Sequence, residues 1–213
     1  METKDNKITI NKVDKDTKEK LAGAKFKLEQ IDERVQPDNA TILGELTGNG
    51  QEYTSVNVKD EVTGKLGELT NNGTYYFVQN ADGTLTPTNS MTYQIANGGT
   101  EGISDSTANS YIPIDLTGLT GQYAVVVNAS CSSEENYDYG YATITESTTA
   151  PSYDDSTGRF IYISGTQSTI GYQAVLEGGK TYYLHLGYRK DGSGDENDDQ
   201  IVINSIKLYN ANV

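Results

Sequence analysis

The sequence holds no tryptophan, one cysteine, one histidine and four prolines in 213 residues. A single thiol, Cys131, excludes an internal disulfide and a cysteine-rich zinc site. A single imidazole, His185, excludes a multi-histidine metal centre, and any catalytic triad would have to use it. Cations are scarce as well: 16 Lys and Arg stand against 30 Asp and Glu, a formal charge of −14. A chain of that sign repels phosphate backbones and anionic bilayers, so neither nucleic acid nor a membrane surface is an expected partner. No apolar run reaches the ~18 residues of a membrane-spanning helix. Met1 is followed by Glu2, Thr3, Lys4 and Asp5 rather than by the apolar core of a signal peptide, and the chain reads as a piece of a longer protein. Nucleophile elbow, phosphate loop and zinc-protease signatures are missing. The acidic residues fall in polar turns, where nothing raises a carboxyl pKa, and Cys131 has no basic neighbour in sequence to activate it. The chain is therefore expected not to be an enzyme.

What is present points to strands. Apolar residues make up 35% of the chain, below an average soluble protein, and 22 Gly and 16 Tyr join abundant Thr, Ser, Asn and Asp. Ala24, Phe26 and Leu28 alternate with Lys25, Lys27 and Glu29, the period of a half-buried strand. Seven longer strands are expected at Tyr111–Leu116, Tyr123–Ala129, Tyr139–Thr145, Phe160–Ser164, Tyr172–Leu176, Thr181–Tyr188 and Ile201–Tyr209, with no helical period between them. The eight residues from Leu43 to Gly50 recur, nearly unchanged, from Leu66 to Gly73, and each copy reads as strand, Asn-Gly turn, strand. The two halves differ in charge. Residues 1–100 carry eleven Lys and Arg against fifteen Asp and Glu, net −4; residues 101–213 carry five against fifteen, net −10. The Gly-rich stretch from Asn97 to Gly102 lies between them. The expectation is an all-β chain of two tandem antiparallel β-sandwiches, residues 1–97 and 98–213.

The opening, Ile8-Thr9-Ile10-Asn11-Lys12-Val13-Asp14 followed by Leu21-Ala22-Gly23-Ala24-Lys25-Phe26-Lys27-Leu28, resembles the collagen-adhesin B-type repeat, also called the SpaA-type pilin domain of Gram-positive surface proteins. Gly73-Thr74-Tyr75-Tyr76-Phe77-Val78 is similar to a later strand of that family. The resemblance implies an Ig-like or prealbumin-like sandwich used as a stalk or adhesin module, extracellular and cell-wall-anchored. It also implies an isopeptide bond from a Lys to an Asn, assisted by a Glu. Lys12 stands at the nucleophile position and Asn97 is the candidate acceptor. Gln79 occupies the position of the Glu, and an amide cannot exchange the proton that a carboxylic acid would.

The end of the chain, from Asp198 to Tyr209, resembles the last strand of carbohydrate-binding jelly rolls, which implies a jelly-roll-like second domain. On the residues themselves, Tyr183, His185 and Gly187 should face away from the core side of their strand, with Arg189 close by. Tyr139 and Tyr141 form a second tyrosine strip. Tyrosine rings cover the apolar face of a pyranose and polar tips bond its hydroxyls, so Tyr139, Tyr141, Tyr183, His185 and Arg189 are candidate ligand-binding residues. Asp191, Asp195 and Asp199 place oxygens at alternate positions and are candidate calcium ligands, calcium being the one cofactor considered. The functional expectation is a non-catalytic module of an adhesin or pilin-like protein that binds a glycan or host extracellular matrix. The alternatives are a purely structural spacer and an accessory module of a secreted glycoside-active enzyme.

Overall fold

A computed structural model describes residues 22–30, 41–49, 57–192, 194 and 197–212, with side chains for 60–192, 194 and 197–211. The strands are β1 (Ala22–Gln30), β2 (Thr41–Asn49), β3 (Asn57–Glu61), β4 (Thr70–Asn71), β5 (Phe77–Gln79), β6 (Leu85–Pro87), β7 (Ser106–Asp115), β8 (Gln122–Ser132), β9 (Tyr139–Thr145), β10 (Arg159–Ile163), β11 (Thr166–Glu177), β12 (Thr181–Lys190) and β13 (Gln200–Asn212). One short helix, α1 (Met91–Ala96), starts at Ser90, whose hydroxyl accepts from the Tyr93 N–H as an N-cap. Among the described residues no helix is long and apolar enough to cross a membrane.

Every ladder between these strands is antiparallel. One sheet has the order β10-β9-β12-β7-β4. A second runs β11-β8-β13-β6-β5, with β3 also paired to β13. The hairpin β1–β2 forms a separate two-stranded ladder, Phe26 opposite Leu46. Period-two patterning decides the packing of the two large sheets. In β7 buried Ala108, Ile112 and Ile114 alternate with half-exposed residues. They meet Val125, Val127, Ala129 and Cys131 of β8, Leu184 and Leu186 of β12, and Ile201, Ile203 and Leu208 of β13 in one interior. Each fully buried aliphatic side chain contributes roughly 1.5–3 kcal/mol, and this sum holds the sheets face to face. Gly140 of β9 faces Ile201 of β13 closely across the interior: a Cβ there would lie 2.4 Å from the Ile201 Cδ1.

The all-β sandwich class and all seven long strands agree with the sequence reading. Two expectations do not survive. The seam at residues 97–98 does not divide two hydrophobic interiors. Phe77 and Leu85, from before it, sit in the same cluster as the later strands, and β4 pairs with β7 while β6 pairs with β13. These early strands have two or three residues each and cannot make a face of their own, so they complete the edges of the larger sheets. The second copy of the repeat is not a hairpin either. β4 lies in one sheet and β5 in the other, and Asn72-Gly73 carries the chain across. The repeat thus shares composition without sharing pairing.

Candidate functional site

The outer face of the five-stranded sheet is built by β7, β9, β10 and β12. Register places Arg189 opposite Tyr139, Gly187 opposite Tyr141, His185 opposite Thr143 and Tyr183 opposite Thr145. On the far side, Tyr111 stands opposite His185 and Asn109 opposite Gly187. β10 adds Tyr162 opposite Tyr141 and Arg159 opposite Thr143, with a bulge between Arg159 and Ile161. That bulge brings Arg159 and Tyr162, three residues apart, onto one face. All five expected ligand-binding residues therefore share a face, as alternation requires.

They do not share exposure. Tyr141 and His185 are each only 2% exposed. The Tyr141 ring lies across Gly187, where a Cβ would sit 2.1 Å from the ring carbon Cζ, and its hydroxyl reaches Asn109 Oδ1 at 3.4 Å. Burial pushes the Tyr141 phenol up to about 12. The connection from Glu146 to Gly158 folds over the face as a strap. The His185 Nε2–H donates to the Ser147 carbonyl oxygen at 2.8 Å, with the Thr145 hydroxyl 3.0 Å away. Burial pulls the imidazole below its ordinary value, and the Ser147 bond opposes that only in part. The neutral His185 is thus a strap anchor rather than a ligand contact, which corrects its expected role. Tyr183 is half-buried, its ring edge-on to Tyr111 at 5.5 Å.

The accessible part of the face lies beside the strap. Tyr162 is 45% exposed and stacks on Tyr139, ring centroids 4.5 Å apart and 11° from parallel. Tyr153, carried by the strap, tilts against Tyr139, Tyr141 and Tyr162, and the Tyr153 and Tyr162 hydroxyls share a hydrogen bond of 2.6 Å. The Arg159 guanidinium sits 4.8 Å from the Tyr162 centroid and donates to the carbonyls of Tyr153 and Asp155. Arg189 covers the Tyr153 ring at 4.9 Å. These cation–π contacts hold the rings in place. Among the described residues neither arginine has a carboxylate at ion-pair distance, whereas Lys180 and Lys207 pair with Glu146 and Glu61. The sequence reading missed Tyr153, Tyr162 and Arg159. The alternation of Arg159 and Tyr162 against Ile161 and Ile163 held a signal for β10, but nothing periodic marks Tyr153.

The remaining expected sites come apart. Lys12 and Asp195 lie outside the described residues. Asn97 is exposed and caps α1, its side-chain amide donating to the Tyr93 carbonyl at 2.8 Å. Gln79 is an exposed residue of β5. Neither amide sits in the desolvated surroundings that a neutral lysine nucleophile needs. Asp199 points inward: it is fully buried, pairs with the equally buried Lys190 and accepts from the Tyr188 hydroxyl at 2.7 Å. Asp191 is only half-buried and offers its backbone N–H to Asp138. A lysine ammonium thus occupies the position at which Asp199 was expected to meet calcium. Among the described residues no group of three His, Cys, Asp or Glu side chains gathers for a metal ion.

Two clefts lie elsewhere. One of about 610 Å³ opens between the sheets, lined mainly by Leu66, Leu69, Leu85, Ile112, Ile203 and Ile206. Another of about 370 Å³ lies under the strap, with Glu146, Asp155 and Tyr182 on its walls. Glu146 is ion-paired with Lys180. Asp155 is held below the usual carboxylate range by the N–H and hydroxyl of Thr157. Asp155 therefore lacks the raised pKa of a general acid.

Residues 6–106 match the family model of the SpaA prealbumin-like fold domain, a little less than half of the chain. That stretch includes β1 and β2, but also β3 to β6 and α1, which are hydrogen-bonded into or packed against the large sandwich. The solved structure of TmCBM61 in complex with β-1,4-galactotriose is similar over 68% of this chain and 87% of its own, at 7% identity and a TM-score of 0.30. No curated protein matches the chain.

Proposed function

We propose that this chain is a non-catalytic module of a bacterial cell-surface adhesin or pilin-like protein, and that the face formed by Tyr139, Tyr153, Tyr162, Arg159 and Arg189 binds a glycan. The surface assignment is supported by the similarity of residues 6–106 to the SpaA prealbumin-like domain. The crossing of the chain between sheets from β7 onward supports a jelly-roll-like reading of the sandwich. The observation that carries the binding reading is the exposed Tyr162 ring, held flat on Tyr139 and flanked by Arg159 and Arg189, neither of which has a carboxylate at ion-pair distance among the described residues. Such a ring covers the C–H face of a pyranose, and the guanidinium N–H groups bond hydroxyls or a sugar carboxylate. The Asp155 carboxyl, held below the usual range by Thr157 in the cleft under the strap, supports the non-catalytic part.

The competing reading is a spacer in which this cluster only pins the strap. The hydrogen bond between the Tyr153 and Tyr162 hydroxyls favours it. A glycan microarray followed by titration calorimetry separates the two. Binding by the wild type that Tyr162→Ala weakens about two- to tenfold, with the fold intact, supports the glycan face. Binding that neither Tyr162→Ala nor Arg189→Ala alters, or no binding, leaves the spacer.

A further inference from the structure

Residues 101–213 hold five cations against fifteen acidic residues. Three of the five are neutralised where they stand: Lys180 by Glu146, Lys207 by Glu61, and the buried Lys190 by Asp138 and Asp199. The other two are Arg159 and Arg189, and both lie on the tyrosine cluster. With acids outnumbering cations three to one, an arginine without one at ion-pair distance marks a place from which carboxylates are kept back. Asp155 shows how. Its carbonyl accepts from Arg159 at 2.6 Å, yet its carboxylate accepts from the Thr157 N–H at 2.8 Å, turned to its own backbone. Both guanidinium groups are also fixed in advance. Arg159 commits Nη2 to the carbonyls of Tyr153 and Asp155, which leaves Nη1 without a hydrogen bond among the described residues. The Arg189 side chain rests on a ring and makes no hydrogen bond among the described residues. The two groups border the same Tyr153 ring, at 5.8 Å and 4.9 Å from its centroid. Like charges converging on one ring repel each other, and a shared anion relieves that repulsion.

Resting on the glycan reading of this face, we propose that its ligand is an acidic saccharide: a pyranose with a carboxylate on a ring carbon, its ring on Tyr162 and its carboxylate on Arg159 and Arg189. Tyr162 is 45% exposed and backed by Tyr139, so one face of its ring is open to the C–H face of a sugar. A carboxylate on a ring carbon stays at the edge of that sugar, level with the flanking guanidinium groups. The planar fork of a guanidinium matches the two oxygens of a planar carboxylate, and such charge-assisted bonds are stronger than those to a hydroxyl. The formal charge of −14 does not forbid the contact, because at physiological salt charges beyond about 8 Å are largely screened. A polyanion that spreads many charges over the acidic surface meets that surface directly, whereas one carboxylate on a short saccharide meets only the two arginines.

The test is an array on which each uronate- or sialate-bearing oligosaccharide stands beside its methyl ester and a sulfated neutral counterpart, followed by titration calorimetry on the full chain. The carboxylate form should bind about five- to thirtyfold tighter than its ester. Arg189→Gln should remove that preference and leave the weaker binding common to both forms, with the circular dichroism spectrum unchanged, since Arg189 holds no strap carbonyl. Arg189→Lys should keep part of the preference, and Tyr162→Ala should weaken acid and ester alike. Equal binding of acid and ester, weakened by Tyr162→Ala, overturns the acidic class and leaves the glycan face standing. A preference for sulfated sugars overturns it as well, and so does a preference for the carboxylate that survives both Arg189→Gln and Arg159→Gln. No binding to any sugar on the array overturns this proposal together with the glycan reading.

Discussion

Placing a methyl group at Gly187 tests how the outer face is assembled. A Cβ at that position would lie 2.1 Å from Tyr141 Cζ, 2.3 Å from Cε2 and 2.5 Å from the hydroxyl oxygen. The ring cannot slide, because Tyr153 tilts against it from above and Arg159 lies 5.4 Å from its centroid. Gly187→Ala must therefore push a nearly buried ring out of its slot, an overpacking cost of about 1–3 kcal/mol. At about 2–4 °C per kcal/mol for a chain of this size, that cost lowers the melting temperature measurably. Urea unfolding of Gly187→Ala, Tyr141→Ala and the double variant supplies the cycle. Truncating Tyr141 empties the slot, so the added methyl should then cost little, and the double variant should lose less than the two single losses summed. Additive losses, or a neutral Gly187→Ala, would show that the ring does not lie across β12 and would refute this account of the face.

Three further outcomes are expected. Phe77→Ala should cost about 3–5 kcal/mol and shift the same single unfolding transition as Leu186→Ala; a separate transition lost on its own would show that residues before the Gly98-Gly99 stretch fold apart. His185, the only histidine, gives one imidazole signal by NMR, and that signal should titrate below the ordinary value of 6.5. A folded-state pKa below the unfolded one means that the unfolded chain binds more protons in the interval between them. Stability should therefore be fully present above about 6.5 and fall as pH drops toward the folded value, a dependence that His185→Gln removes. Ser90→Ala should cost about 0.5–2 kcal/mol through loss of the α1 cap, read in the same urea series.

The strands and their faces were legible because period two is a local property. The alternation of Tyr182, Leu184, Leu186 and Tyr188 with Tyr183, His185, Gly187 and Arg189 assigns inside and outside without reference to any partner. What was not legible depended on contacts distant in sequence. Strands β4, β5 and β6 are too short to show a period, so their incorporation into the large sheets, across the glycine-rich stretch, left no mark. The strap from Glu146 to Gly158 has the composition of a solvated loop, yet Ser147 closes over His185 and Tyr153 completes the tyrosine cluster. Sequence alternation separates the two faces of a sheet, but it does not reveal that a loop covers one of them. The acidic turn after β12 suggested calcium from the spacing of its oxygens. The strand's own last residue, Lys190, supplies the positive charge that spacing could not locate.

Chemical-shift mapping on the labelled chain, titrated with a glycan selected from an array, tests the central claim most directly. The account predicts saturable shifts confined to Tyr139, Tyr153, Tyr162, Arg159 and Arg189, with Tyr141 and His185 unmoved beneath the strap. Shifts centred instead on the cleft lined by Leu69 and Ile206, or no saturable shift with any glycan, would contradict it.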